Sequence, residues 1–114
     1  MTDLAKAIAF ATQCLKWTDV SAKSEVFVCD GMNDAAFNID IAADLEAVLA
    51  EFLGKRYFIQ INRGTSSLFH WRVIVGLQDL SIKGAHFDSA QAEGEELWDV
   101  IFDACVQATH LDKK

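Results

Sequence analysis

Four polar residues lie close together on two runs that alternate like paired strands: Gln60 and Asn62 on the first, His70 and Arg72 on the second. Alternate residues of a strand share a face, so one register gathers all four into a polar patch beside Ile74. Phe69, Trp71, Val73, Val75 and Leu77 then take the opposite face. In such a patch Arg72 offers a planar fork of donors suited to a ligand or a partner's carboxylate. The plainer alternative is a solvated sheet face, which antiparallel sheets commonly have.

A second constellation is one of charge. The chain carries 17 acidic and 10 basic residues, a net charge of −7. Between Gly84 and Asp112 there is no Lys or Arg, so most of the excess falls there. If this stretch is helical from Asp88 onward, Glu95, Asp99 and Asp103 follow at i, i+4 and i+8, with Glu96 beside them. Like charges so placed repel by a few tenths of a kcal/mol per pair. A helix that tolerates this either keeps the protein soluble or presents the stripe to a basic protein partner. Glu93, Glu95 and Glu96 also suit the positive end of the helix dipole. Direct binding to nucleic acid is disfavoured, since phosphate contacts need positive charge.

Other chemistry finds less support. His86 and Asp88 flank Phe87, but no nucleophile or third orienting group stands at a reachable spacing. His70, His86 and His110 make no short-range ligand pair. The run Asp30-Gly31-Met32-Asn33-Asp34 lacks the glutamate and spacing that close a calcium loop. There is no phosphate-binding glycine motif. Cys14, Cys29 and Cys105 are dispersed and odd in number, which reads as three buried thiols in a reducing compartment. Trp17, Trp71 and Trp98 are spaced as core residues, one per major element. No metal, cofactor or enzymatic role is therefore expected.

The elements that position these residues follow from periodicity. Leu4, Ile8, Ala11 and Leu15 mark a helix over 3–17, capped by Thr2 or Asp3. Residues 25–29 read as a short strand and 31–38 as a loop. Asp40 opens a second helix through Ile41, Leu45, Val48, Leu49 and Phe52, and Gly54 suits its left-handed exit. A hairpin follows, 57–62 and 68–77 with 63–67 between, and a third strand at 81–87 continues the meander. Asp88, with Gln91 three residues on as a capping box, begins a long helix to about Leu111. The order α-β-α-β-β-β-α over a single 114-residue domain predicts an α+β fold, a two- or three-layer sandwich with an antiparallel β-meander. The chain contains no proline, so Gly, Asn, Asp and Ser shape its turns. Charges interrupt every apolar run, so neither a signal peptide nor a membrane span is expected, and the predicted location is cytoplasmic.

Three stretches carry a family resemblance. Cys14-Leu15-Lys16-Trp17-Thr18 resembles the end of the first helix of the phage ABA sandwich domain, Phe37-Asn38-Ile39-Asp40-Ile41-Ala42-Ala43 its lead into the middle helix, and residues 99–108 its terminal helix. Leu15-Lys16 stands where that family has a glycine before Trp17, and its common prolines are missing. The resemblance implies an α/β/α layered fold and a phage or prophage origin, and no known activity.

The functional expectation is a non-catalytic, phage-type protein that binds another macromolecule through the acidic helix face of Glu95, Glu96, Asp99 and Asp103. One alternative is a small ligand-binding domain or enzyme using Gln60, Asn62, His70 and Arg72. Another is a self-associating structural subunit, a homo-oligomer.

Overall fold

The computed structural model describes the chain except residues 1, 2, 33, 55, 64–69, 80–85, 113 and 114, and gives only the backbone course of 78, 79, 86–88 and 112. Among the described residues, three α-helices and two antiparallel three-stranded sheets form an α+β sandwich. Helix α1 is Leu4–Gln13, α2 is Ala42–Leu53 and α3 is Leu97–Thr109. The first sheet contains β1 (Val20–Ala22), β2 (Phe27–Asp30) and β3 (Ala35–Asn38); the second contains β4 (Tyr57–Arg63), β5 (Trp71–Asp79) and β6 (His86–Gly94). The expected succession α-β-α-β-β-β-α holds, with the first strand position filled by a small sheet of its own.

Packing ties the layers together. Helix α1 lies on β1 and β2, α3 lies on β5 and β6, and the two helices pack against each other. Helix α2 touches both β3 and β4. Where the helices converge, Phe10 meets Phe102 at 4.7 Å between ring centres and Phe52 at 5.8 Å. Ala7, Ala11, Ala104 and Ala108 are fully buried, and such small side chains let helices approach closely. Val73 and Val75 supply the second sheet's share of the core. Trp17 and Trp98 pack at its margin, Trp17 against Phe37 at 5.7 Å.

Several local expectations are borne out and several are corrected. Asp3 caps α1, accepting from the Ala5 amide at 2.9 Å. That helix ends earlier than expected, at Gln13, because Lys16 takes a left-handed conformation (φ 61°) and the Trp17 N–H turns back to the Ala11 carbonyl. Gly54 follows α2 with a positive φ of 48°, which favours glycine, but its ψ of −130° lies outside the expected left-handed helical region. Ile41, not Asp40, is the N-cap of α2; Asp44, in the first turn, accepts instead from the Asn38 amide at 3.0 Å. The 31–38 stretch is not all loop, since Ala35–Asn38 pairs with β2.

The largest correction concerns the third strand of the meander. It runs His86–Gly94 and not 81–87, of which 81–85 lie outside the described residues. Asp88 is therefore a strand residue opposite Leu77, and neither it nor Gln91 caps a helix. The terminal helix begins only at Leu97, with Glu96 as N-cap. Alanine explains the error. Ala90 and Ala92 face the core opposite Val75 and Val73 while Gln91 and Glu93 face outward, a period-two pattern written in residues that intrinsically favour helices. Gly94 then permits the close turn into α3, where a Cβ would lie 2.8 Å from Val100 Cγ2.

Candidate functional site

The register of the second sheet decides which side chains share a face. Asn62 stands opposite Arg72, and Arg72 opposite Glu93; Gln60 stands opposite Ile74, and Ile74 opposite Gln91. In the next row Phe58 faces Gly76, and Gly76 faces Ser89. All nine lie on the side of the sheet away from Val73 and Val75. Gln60, Asn62 and Arg72 thus lie on one face as the sequence predicts, and His70, directly before β5, reaches the same cluster. Phe69 and the 64–67 part of the expected hairpin connection lie outside the described residues.

Glu93 organises this face. Arg72 Nε donates to its Oε1 at 2.9 Å, and His70 Nε2 lies 3.2 Å from its Oε2. Gln91 Nε2 stands 3.5 Å from Oε1. The hydrogen bond from Arg72, then that from His70, holds the Glu93 carboxyl below its ordinary value of 4.5. Glu93 is the functional residue that sequence reasoning misplaced, having been assigned to the dipole end of the acidic helix. Its signal was available in the alternation of Ser89, Gln91 and Glu93 against Ala90 and Ala92.

Next to this cluster, Phe58 remains 38 % exposed, its ring laid over Gly76. A Cβ on Gly76 would fall within that ring, so glycine is what allows the aromatic side chain to lie against the sheet. At the end of the hairpin, the Arg63 guanidinium stands 4.0 Å above the Trp71 ring, a cation–π contact.

Compared with known proteins, the chain stands apart. No family model matches this sequence, and no curated protein or solved structure is significantly similar to it.

The acidic constellation is arranged differently from the expected stripe. Asp99 and Asp103 lie on α3, but Glu95 precedes the helix and Glu96 caps it, so the i, i+4, i+8 series is only a pair on the helix. Both members face α1. Asp103 Oδ2 meets Lys6 Nζ at 2.7 Å, and Asp99 Oδ1 accepts the Asp3 amide at 2.6 Å. The hydrogen bond to Asp103, reinforced by the charges of Asp103, Asp99 and Asp3, raises the Lys6 pKa. These carboxylates thus fasten the start of α1 to α3.

The remaining chemistry is sparse. Cys14, Cys29 and Cys105 are free and buried. Burial pushes the Cys14 thiol up to about 12 and Cys105 higher still. Among the described residues no group of three or more His, Cys, Asp or Glu is arranged to hold a metal ion, and no helix is long and apolar enough to cross a membrane. The side chains of His86 and Asp88 lie outside the described ones.

Proposed function

We propose that this chain is a non-catalytic domain that binds another protein across the outer face of its second sheet. The observation that carries this reading is the Glu93 cluster. One carboxylate, 2.9 Å from Arg72 and 3.2 Å from His70, holds two long side chains in place on a face where Phe58, Gln60, Gln91 and Glu93 are all exposed. A partner that meets side chains already ordered gives up less conformational freedom on binding. The mixture of an aromatic ring, an arginine and several amides around Ile74 is also the chemistry that protein interfaces favour. A phage or prophage setting for this domain rests on the sequence resemblance alone.

A second reading keeps the acidic surface as the docking site for a basic protein. It is favoured by three carboxylates, Asp3, Asp99 and Asp103, acting on the single ammonium of Lys6, with Glu95 exposed at the start of α3. Binding there weakens steeply as salt rises.

Photo-crosslinking separates the two. A photoreactive amino acid is placed singly at Gln91, at Glu95, or at the exposed Glu46 of α2 as a control, in the cells that make the protein. The open-face reading expects a discrete adduct from Gln91 and none from Glu46. An adduct from Glu95 alone, lost at high salt, replaces it with the acidic reading. No adduct from either position refutes both.

A further inference from the structure

The four sheet edges differ in how they are protected. An unpaired strand edge is a template for another strand, and proteins usually blunt it with shortness, proline, bulges or charge. In the first sheet, β1 and β3 have only three and four residues. In the second, β6 carries the charged carboxylate of Glu93. Strand β4 is less protected, with a single charge, Arg63, at its end and α2 in contact with it. It is seven residues long, pairs with β5 without a bulge, and contains no charge from 57 to 62. Among the described residues no other strand pairs with its far side.

Apolar exposure concentrates on the same strand. Ile61 points to the helix-covered side of the sheet yet remains 41 % exposed, and Phe58 on the other side is 38 % exposed. Helix α3 packs on β5 and β6; of the two isoleucines on this side of β4, Ile59 is half-buried against the core and Ile61 is the more open. From this we propose that β4 is a self-pairing edge: two copies join antiparallel along Tyr57–Arg63, about a two-fold axis through Gln60, to make one six-stranded sheet.

The sequence of the strand is self-complementary in that arrangement. Gln60 faces Gln60 of the second copy, and side-chain amides hydrogen-bond to one another readily. Ile59 faces Ile61 on the helix side, covering the exposed isoleucine with its counterpart. Phe58 faces Asn62 on the outer side, and each Arg63 meets the Tyr57 end of its neighbour, as far from the other Arg63 as the strand allows. Charge selects this contact over others. A chain of net charge −7 repels its copy over most of its surface, and β4 is where it can approach without opposing carboxylates.

The edge is about 23 Å long at roughly 3.3 Å per residue, so the pair buries less than the about 1,200 Å² of a stable standard interface. The dimer is accordingly weak, with a dissociation constant above about 1 µM. It would also join two copies of the Glu93 face into one broader surface. The edge and the face fail separately, because crosslinking at Gln91 reads the face and molecular mass reads the edge.

Sedimentation equilibrium from about 5 µM to about 1 mM is the test. The wild type is expected to pass from the 12.6 kDa monomer to twice that mass. Gln60→Lys and Gln60→Glu each place like charges on the axis and raise the dissociation constant about two- to fivefold, while their equimolar mixture restores association. Ile61→Lys, on the opposite side of the sheet, weakens it as well. Circular dichroism verifies that each variant is folded. A wild type that stays monomeric at the highest concentration overturns the proposal and leaves the edge to an extended peptide. A dimer indifferent to Gln60→Lys and Ile61→Lys, or a charge-swapped mixture that fails to associate, overturns it equally.

Discussion

Replacing Gly76 by alanine should disturb the outer face through one contact, the seat of the Phe58 ring. The new Cβ would occupy the place of that ring, so Phe58 must swing away from the sheet. Phe58 is 38 % exposed in the native fold, which leaves about 120 Å² of its roughly 200 Å² buried. At about 25 cal/mol per Å², losing all of that contact costs about 3 kcal/mol. Some burial survives in a new rotamer, and exchanging glycine for alanine within a strand returns about 0.5–1 kcal/mol. The net loss expected for Gly76→Ala is therefore about 1–2 kcal/mol, or roughly 4–8 °C in Tm for a chain of this size. A double-mutant cycle measured by urea unfolding isolates the cause. In a Phe58→Ala background the clash is gone, and Gly76→Ala should become neutral or stabilising. An equal loss in both backgrounds, or no loss with Phe58 present, would refute the reasoning.

Three further outcomes follow from single positions. Lys16 holds φ 61° at the end of α1, a conformation that costs a side-chain-bearing residue about 1 kcal/mol; Lys16→Gly should raise Tm by about 2–4 °C after allowing for glycine's freedom in the unfolded chain, and an unchanged or lower Tm contradicts this. The Glu93 carboxyl, lowered by Arg72 and His70, stabilises the fold above the unfolded glutamate value and loses that contribution as pH falls through its own lower pKa. Side-chain carboxyl NMR should show it titrating below 4.5 and returning toward that value in Arg72→Ala, whereas a titration unmoved by the substitution denies the coupling. With burial raising Cys14 and Cys105, neither thiol should react with a disulfide reagent at pH 8 until the protein is unfolded, and rapid labelling of the native chain would show that these sites are open.

What the sequence discloses here depends on how strongly each element is written. Helix α2 and the β4–β5 pair were legible because large apolar residues recur at a clean period, Leu45, Val48, Leu49 and Phe52 in one and Ile59, Ile61, Val73 and Val75 in the other. Parity alone then put Gln60, Asn62 and Arg72 on one face, and the register of the sheet agrees. Strands β1 and β3 were not legible, being three and four residues long, too short for alternation to show. Strand β6 was obscured by composition. Its core positions are Ala90 and Ala92, small because α3 packs directly upon them, and its outward positions include glutamine and glutamate. The consequence reaches the site itself, since the residue that bonds Arg72 and His70 was assigned to a helix.

That displacement changes how the surplus of negative charge is understood. Once β6 is a strand, the acids between Gly84 and Asp112 no longer form one recognition stripe. Glu93 turns to Arg72 and His70, Asp103 to Lys6, and Asp99 to the amide of Asp3, each bond joining segments far apart in the chain. Half-exposed ion pairs such as Lys6–Asp103 contribute only about 0.2–1 kcal/mol each, so their value lies as much in orientation as in stability. The pairs set the start of α1 on α3 and fix the side chains of the outer sheet face. Clustering of like charge along a sequence is therefore weak evidence for a shared surface, because a single change of element sends neighbouring carboxylates to opposite sides of the molecule. The surfaces that these internal bonds leave available are the rest of the outer face, with Phe58, Gln60 and Gln91, and the edge of β4 that borders it. Because Gln60 lies on both, a partner bound across the face and a second copy along the edge would meet at the same residue, and occupancy of one would alter affinity for the other.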